Sequence, residues 1–435
     1  MAAISPNSGL RVQRPPTGHV SAMKMSASTM SDSDVQIVAT RLLAYCIAQN
    51  WAGYDPYDAL NSPLFRLFPF LNHKVPRLVL TQALRRSPVN FRGLLGVPKT
   101  QNPKGVALFL AALLKTPQLG TAQLISSLRD TLLALRAPGT PYWCWGYNFP
   151  WQTRTLVVPV GTPNLVTSVF VGQSLLDLYD RSADQDCASI AESTANYILK
   201  ELYWTEGRDC AGVGYPLPSM RHQIHNANFL GSAFLARVYG LTGEVRYLDG
   251  ALRLARYSAS RQRADGSWVY GEETTQQWVD NFHTGFNLCA LHQIDQLLAT
   301  DEFEAHIRHG FDFYRDHFFR EDGAPRYYHN KTYPIDIHCV AQSIITLLTL
   351  PELRPDNSVV ARTVFEWSRK HMWNERGFFS YRVLRGCTIH IPYMRWSQAW
   401  MLLALSTLLQ QSEHRDAIEK FQRLSEPAIS EEPTR

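Results

Sequence analysis

NANFLGSAFLARVYG, residues 226–240, carries Asn226 and Asn228 at its start and almost nothing polar after them. A helix that is apolar on every side must be buried on every side. Five further segments repeat the plan: NPKGVALFLAALLK from Asn102, NLVTSVFVGQSLLDLY from Asn164, DNFHTGFNLCALHQI from Asp280, DIHCVAQSIITLLTL from Asp336 and MRWSQAWMLLALSTLL from Met394. Successive starts are 62, 62, 54, 56 and 58 residues apart, the length a pair of helices with two loops requires. Between them lie helices of another kind, from Ala188 to Leu202, Tyr247 to Arg261 and Phe303 to Phe319. Their apolar residues recur at three and four positions, with Arg, Asp and Glu between. A buried inner helix alternating with an amphipathic outer one, six times over, predicts an all-α fold: a closed (α/α)6 toroid of helical hairpins. Short β-hairpins are expected on its rim, from runs such as Thr155 to Val160 and Trp268 to Gly271. An irregular helical solenoid is the alternative.

Composition agrees with one large core. The chain has 435 residues, of which 45% are hydrophobic and 19% charged. The net charge of +5 is small and scattered, so no nucleic-acid footprint is expected. Arg85-Arg86 and the run from Arg253 to Arg263 read as solvated helix faces. The seven cysteines are odd in number, irregularly spaced and free of any CxxC, which argues against a disulfide scaffold and for a reducing, cytoplasmic setting. No run of about eighteen apolar residues predicts a membrane span. Residues 1–35, rich in Ser, Pro and Met, read as a disordered arm without the apolar core of a signal peptide. Residues 36–411 then form the toroid domain, and 412–435 a charged tail.

All inner helices of such a ring run the same way, so their first turns meet at one mouth. The polar residues that begin them are therefore site candidates: Asn164; His225, Asn226 and Asn228; Asp280, Asn281 and His283; Asp336 and His338; Arg395 and Gln398. Free N–H groups and the partial positive charge of helix N-termini suit an anionic ligand there. Asn164, Asn226, Asp280 and Asp336 are equally the residues expected as N-caps. Capping asks nothing of His283 or His338. The loops that lead into these helices are rich in glycine and aromatic residues, including Trp145, Trp151, Trp268, Tyr270, Tyr327 and Tyr381. Aromatic faces stack on sugar rings or shield carbocations; they also pack one hairpin on the next. The earlier loop GYDPYDALNS offers Asp55 and Asp58, as mouth residues or as turn caps.

Glycosidase chemistry uses paired carboxylates. Asp280 and Asp336 begin adjacent inner helices, with Asp55, Asp58, Glu272 and Glu273 in reserve. Lyase or epimerase chemistry at a sugar acid uses a base and a cationic clamp, for which His225, His283 or His338 and Arg382 or Arg395 are available. Both sets are present. A phosphate-binding loop of the P-loop or dinucleotide kind is absent, and no cofactor is expected.

The segment WVDNFHTGF, together with the ring repeat, resembles the (α/α)6 carbohydrate enzymes and is similar to the unsaturated glucuronyl hydrolases. That resemblance implies Asp280, following Trp278-Val279, as general acid. GYDPYDALNS, WGYNFPWQTR, HNANFLG, DGSWVYGE, DNFHTGF, YPIDIH and PYMRWSQAW resemble bacterial proteins from exopolysaccharide gene clusters. Two other helical toroids compete. QRADGSW from Gln262 fits the Q-x3-G-x-W motif of terpene cyclases and prenyltransferases, although their DxDD motif is missing. Trp143-Cys144-Trp145-Gly146 is similar to the WCYG of lanthionine cyclases, although their zinc-binding Cys-His-Gly is missing. The sequence reading is therefore an enzyme acting on a sugar or uronic-acid unit as hydrolase, lyase or epimerase. Asp280, His283, Asp336 and His338 would be catalytic. Asp55, Asp58, Trp145, Trp151, His225, Asn226, Asn228, Trp268, Tyr270, Asn281, Arg382, Arg395 and Gln398 would bind the carbohydrate. The alternatives are a terpene-type toroid enzyme and a non-catalytic glycan-binding scaffold.

Overall fold

The computed structural model describes residues 30–153 and 156–425. Among them are fourteen α-helices: α1 Asp32–Ala48, α2 Leu64–Leu67, α3 Lys74–Arg86, α4 Pro103–Lys115, α5 Ala122–Ala134, α6 Leu165–Ser182, α7 Gln185–Tyr197, α8 His225–Thr242, α9 Val245–Ala259, α10 Asn281–Leu298, α11 Glu304–His317, α12 Ile337–Thr349, α13 Asn357–Met372 and α14 Trp400–Ser425. A π-turn, Met394–Ala399, leads into α14. The fold is all-α, with the expected toroidal plan.

The six apolar segments are α4, α6, α8, α10, α12 and the π-turn with α14. Each packs on the next, and α14 packs on α4, which closes the ring. Their burial follows from composition: in α12 every residue from Ile337 to Ile344 is buried. The outer layer is α5, α7, α9, α11 and α13, each packed on the inner helix before it. The sixth outer helix is α1, which packs on α14, so the two ends of the chain complete one hairpin. Ser31 caps α1 through a capping box with Asp34. The helix thus begins at Asp32, ahead of the expected boundary at 36, and α14 continues as helix past 411 to Ser425. Most of the expected arm, residues 1–29, and the tail beyond 425 lie outside the described residues.

Close approach of the inner helices depends on small residues. A Cβ on Gly172 of α6 would stand 2.5 Å from the Phe234 ring of α8. Three successive inner helices end in a left-handed residue: Ala183 (φ 56°), Gly243 (φ 71°) and Ala299 (φ 49°). The geometry is natural for glycine and costs alanine on the order of 1 kcal/mol.

Strands are two to four residues long and sit in the loops. Trp151–Gln152 pairs with Val157–Val158, Tyr203–Glu206 with Cys210–Val213, and Arg382–Leu384 with both Ile335–Asp336 and Cys387–Ile389. The run from Thr155 to Val160 so contributes its Val157-Val158 part, while Thr155 lies outside the described residues. Trp268 to Gly271 forms no strand; Gly271 alone bridges to Ile224. Among the described residues, no helix is long and apolar enough to cross a membrane, and the seven cysteines are unpaired.

Candidate active site

Asp280 is the N-cap of α10. Its Oδ1 accepts the backbone N–H of His283 at 3.0 Å, and its Oδ2 accepts the indole N–H of Trp278 at 2.9 Å. The same Oδ2 lies 2.7 Å from Nδ1 of His283. One side chain thus makes two kinds of contact: one oxygen caps the helix and the other holds an imidazole one turn on. Asp280 is buried, whereas the His283 side chain keeps 20% of its surface open.

That opening is a pocket of about 470 Å³ at the mouth of the ring. Asp280, His283, Phe282 and Trp278 form one side. Tyr327 and Tyr328 come from the loop before α12, Tyr147, Phe149 and Trp151 from the WGYNFPW loop, and Tyr215 from the GVGYP loop. Tyr270 stacks on Trp278 at 4.6 Å with an interplanar angle of 11°, giving a flat aromatic plate. Burial pushes the phenols of Tyr147, Tyr215, Tyr270 and Tyr327 above their ordinary range, so they remain protonated donors at neutral pH. A second cavity of about 340 Å³ continues from the first past the shared side chains Trp151, Tyr215, Tyr270 and Trp278, toward His222 and Glu273.

Two arginines reach the pocket and differ in kind. Arg395 is clamped by Asp55, with Nε and Nη2 donating at 2.7 and 2.9 Å. Arg85, from α3, donates only to the Tyr381 hydroxyl at 3.3 Å and lies 4.9 Å over the Tyr57 ring; among the described residues it has no carboxylate partner. The sequence reading put Arg85 with Arg86 on a solvated face. Arg86 is exposed as expected, but Arg85 turns inward and lines the pocket.

Of the sequence candidates, the ring therefore brings Asp280, His283, Trp151, Tyr270, Tyr327 and Arg395 to one cavity. It does not bring the others. Asp336 is fully buried; Oδ1 accepts from the His338 backbone N–H and from the Trp396 indole, both at 2.9 Å, and Oδ2 from Arg382. With Arg382 it forms an internal ion pair, not a second pocket carboxylate. Asp58 is likewise consumed by Arg92 at 2.6 Å. His338 sits below the pocket floor, 4.6 Å from each of the Phe282, Trp396 and Trp400 rings, and neither ring nitrogen has a partner among the described residues. Burial holds it neutral, well below the usual imidazole range.

The remaining candidates lie outside this cavity. Trp145 and Trp268 are core residues whose indoles donate to the carbonyls of Leu132 and Ser258. Asn228 accepts from the backbone N–H of Val213 and donates to Gln223 and Ser258. Asn281 joins Ser343 and Tyr314, and Gln398 brackets the backbone of Phe379. His225 is buried against Ser258; Glu272, at 3.9 Å, is too far to bond to it. Asn226 is no cap, because α8 begins at His225 after Ile224. Gln262 of the QRADGSW motif donates to the carbonyls of Gly266 and His306, tying one hairpin to the next. Among the described residues, no cluster of three or more His, Cys, Asp or Glu side chains is placed to hold a metal ion.

No protein-family model and no curated protein matches the chain. Solved structures do match it. The fold is that of (α/α)6 carbohydrate-active enzymes. An unsaturated glucuronyl hydrolase from Streptococcus agalactiae superposes with a TM-score of 0.55 at 10% identity, covering 87% of this chain and 92% of that one. A possible GH105 member from Salmonella enterica gives 0.56 at 12% identity, over 92% and 100%. Cellobiose 2-epimerase from Spirochaeta thermophila gives 0.52 at 14% identity, over 72% and 87%. Identities this low establish a shared fold and nothing about the reaction.

Proposed function

We propose that the protein is a carbohydrate-active enzyme that transfers a proton at a uronic-acid unit, with His283 as base, Asp280 as its orienting partner and Arg85 as the clamp for the substrate carboxylate. The observation that carries this reading is the Asp280–His283 pair in a pocket where Arg85 has no carboxylate partner among the described residues. Asp280 accepting from Nδ1–H fixes the tautomer that leaves Nε2 with its lone pair for substrate. An arginine without a carboxylate partner favours an anionic ligand and offers it a bidentate fork. Proton removal next to a carboxylate builds charge on that carboxylate, where Arg85 stabilises it. The tyrosine hydroxyls supply donors for sugar oxygens, and the Tyr270–Trp278 plate a stacking face. The adjoining cavity supports an oligosaccharide over a single sugar.

From this intermediate, loss of the group at the next carbon gives a lyase and reprotonation on the other face an epimerase. A paired-carboxylate hydrolase is less well supported, because Asp280 is the single carboxylate among the described residues lining the main pocket. A terpene-type reading is disfavoured by the same lining, which combines Arg85, Arg395 and Asp280 with phenol hydroxyls. The test is incubation with oligouronides and with their carboxyl-reduced neutral counterparts in deuterated water. Deuterium entering beside the carboxyl group, or an unsaturated product, supports the reading. Turnover of the neutral glycan alone would overturn it.

A further inference from the structure

The insertion between α1 and α4 builds one wall of the pocket and leaves its other side bare. On α3, Arg85 faces the pocket, Leu84 is buried, and Arg77 donates to Gln152 beside Trp151. The opposite face presents Val75, Val79, Ala83 and Arg86, spaced four, four and three, which is one stripe of a helix. Val75 and Val79 are 68% and 62% exposed. The flanking turns add Leu67 at 68%, Phe70 at 69% and Leu94 at 85%. Large apolar side chains this bare, gathered on one short insertion, mark a docking surface.

Charge identifies what docks. No Asp or Glu occurs between Asp58 and Asp130, while Arg66, Lys74, Arg86 and Lys99 of this insertion are exposed. A second copy meeting this face across a twofold axis would set like charge against like. Residues 1–29 contain Arg11, Arg14 and Lys24 and no acid, so they offer it no complement either. An anionic lipid surface complements both properties at once: the headgroups match the basic residues and the acyl boundary accepts Phe70, Leu67 and Val79. We propose that the insertion spanning α2 and α3 docks the protein on anionic membrane surfaces. Docking there holds the pocket, whose wall α3 shares, one helix away from the bilayer. This inference does not depend on which reaction the pocket performs.

Flotation of the full chain with vesicles tests it. The chain is expected to float with phosphatidylcholine vesicles containing about a third phosphatidylglycerol, and to be released by high salt. L67S/F70S/V79S and R66E/K74E/R86E should each reduce partitioning by about tenfold or more, with unchanged melting temperature and far-ultraviolet dichroism. Equal flotation with pure phosphatidylcholine, or none with either vesicle, overturns the proposal. So does a wild-type dimer in sedimentation that L67S/F70S/V79S splits, since a second copy would then own the surface.

Discussion

Asp280 and His283 stand one helical turn apart, with Oδ2 of the first 2.7 Å from Nδ1 of the second. The other carboxylate oxygen caps the helix that carries both. The ring of hairpins delivers this pair to a pocket mouth, and the division of labour between the two oxygens lets function and stability be separated experimentally.

Replacing Asp280 by Asn keeps a good N-cap acceptor but loses the charge that orients and supports the imidazole. Turnover should fall by roughly a hundredfold or more, while the melting temperature falls only modestly through loss of the Trp278 bond to Oδ2. Asp280→Ala should in addition cost about 1 kcal/mol of stability. Steady-state rates and thermal melts on the two variants check this; a D280N protein that melts early but keeps its activity would make Asp280 a cap alone.

Asp336 and Asp55 should behave in the opposite way. Both are buried in ion pairs, Asp336 with Arg382 and Asp55 with Arg395. Removing one partner strands the other charge, at a cost of about 3–5 kcal/mol. Asp336→Asn and Asp55→Asn should therefore lower the urea midpoint markedly. Denaturation curves that superpose on wild type would show that neither pair is internal to the fold.

Arg85→Met should raise KM for an anionic glycan by roughly ten- to a hundredfold, the loss of one charge-assisted bond. Binding of a neutral glycan of the same length should change little. Titration calorimetry with both ligands distinguishes a carboxylate clamp from a general loss of pocket shape, which would weaken the two alike.

Acid should destabilise the protein through its buried imidazoles. Burial depresses His225 to about 4 and His338 well below its ordinary value. The unfolded chain therefore takes up these protons first, near the ordinary 6.5. Their contribution to stability is complete above pH 6.5 and is lost as pH falls from 6.5 toward 4. For His225 alone the full loss is about 3 kcal/mol. Melting temperatures between pH 7 and 4 should fall, and less steeply in His225→Gln. Parallel wild-type and variant profiles would remove His225 as the cause.

The inner helices are legible in the sequence because burial on all sides leaves their middles without polar residues. Closure of the ring is less so. No repeat marks α1 as the sixth outer helix, because its partner α14 lies at the far end of the chain. Asp280 and His283 are legible because a cap followed by a histidine exceeds what capping needs. Asp336 and His338 carry the same pattern, yet an ion pair with Arg382 and a box of aromatic rings hold them beneath the floor. Only tertiary contacts distinguish the two cases. Tryptophans fail for a related reason: Trp145 and Trp151 share one loop, one indole turned into the core and the other into the pocket. Arg85 lies in an insertion outside the repeat, where no periodicity relates a residue to the mouth.

The most direct test of the account is solvent-deuterium exchange into a bound oligouronide, followed by NMR for wild type and for His283→Gln. Wild type should exchange beside the carboxyl group, and the variant should show none above background while it still binds the ligand. Exchange at the wild-type rate by His283→Gln would contradict it.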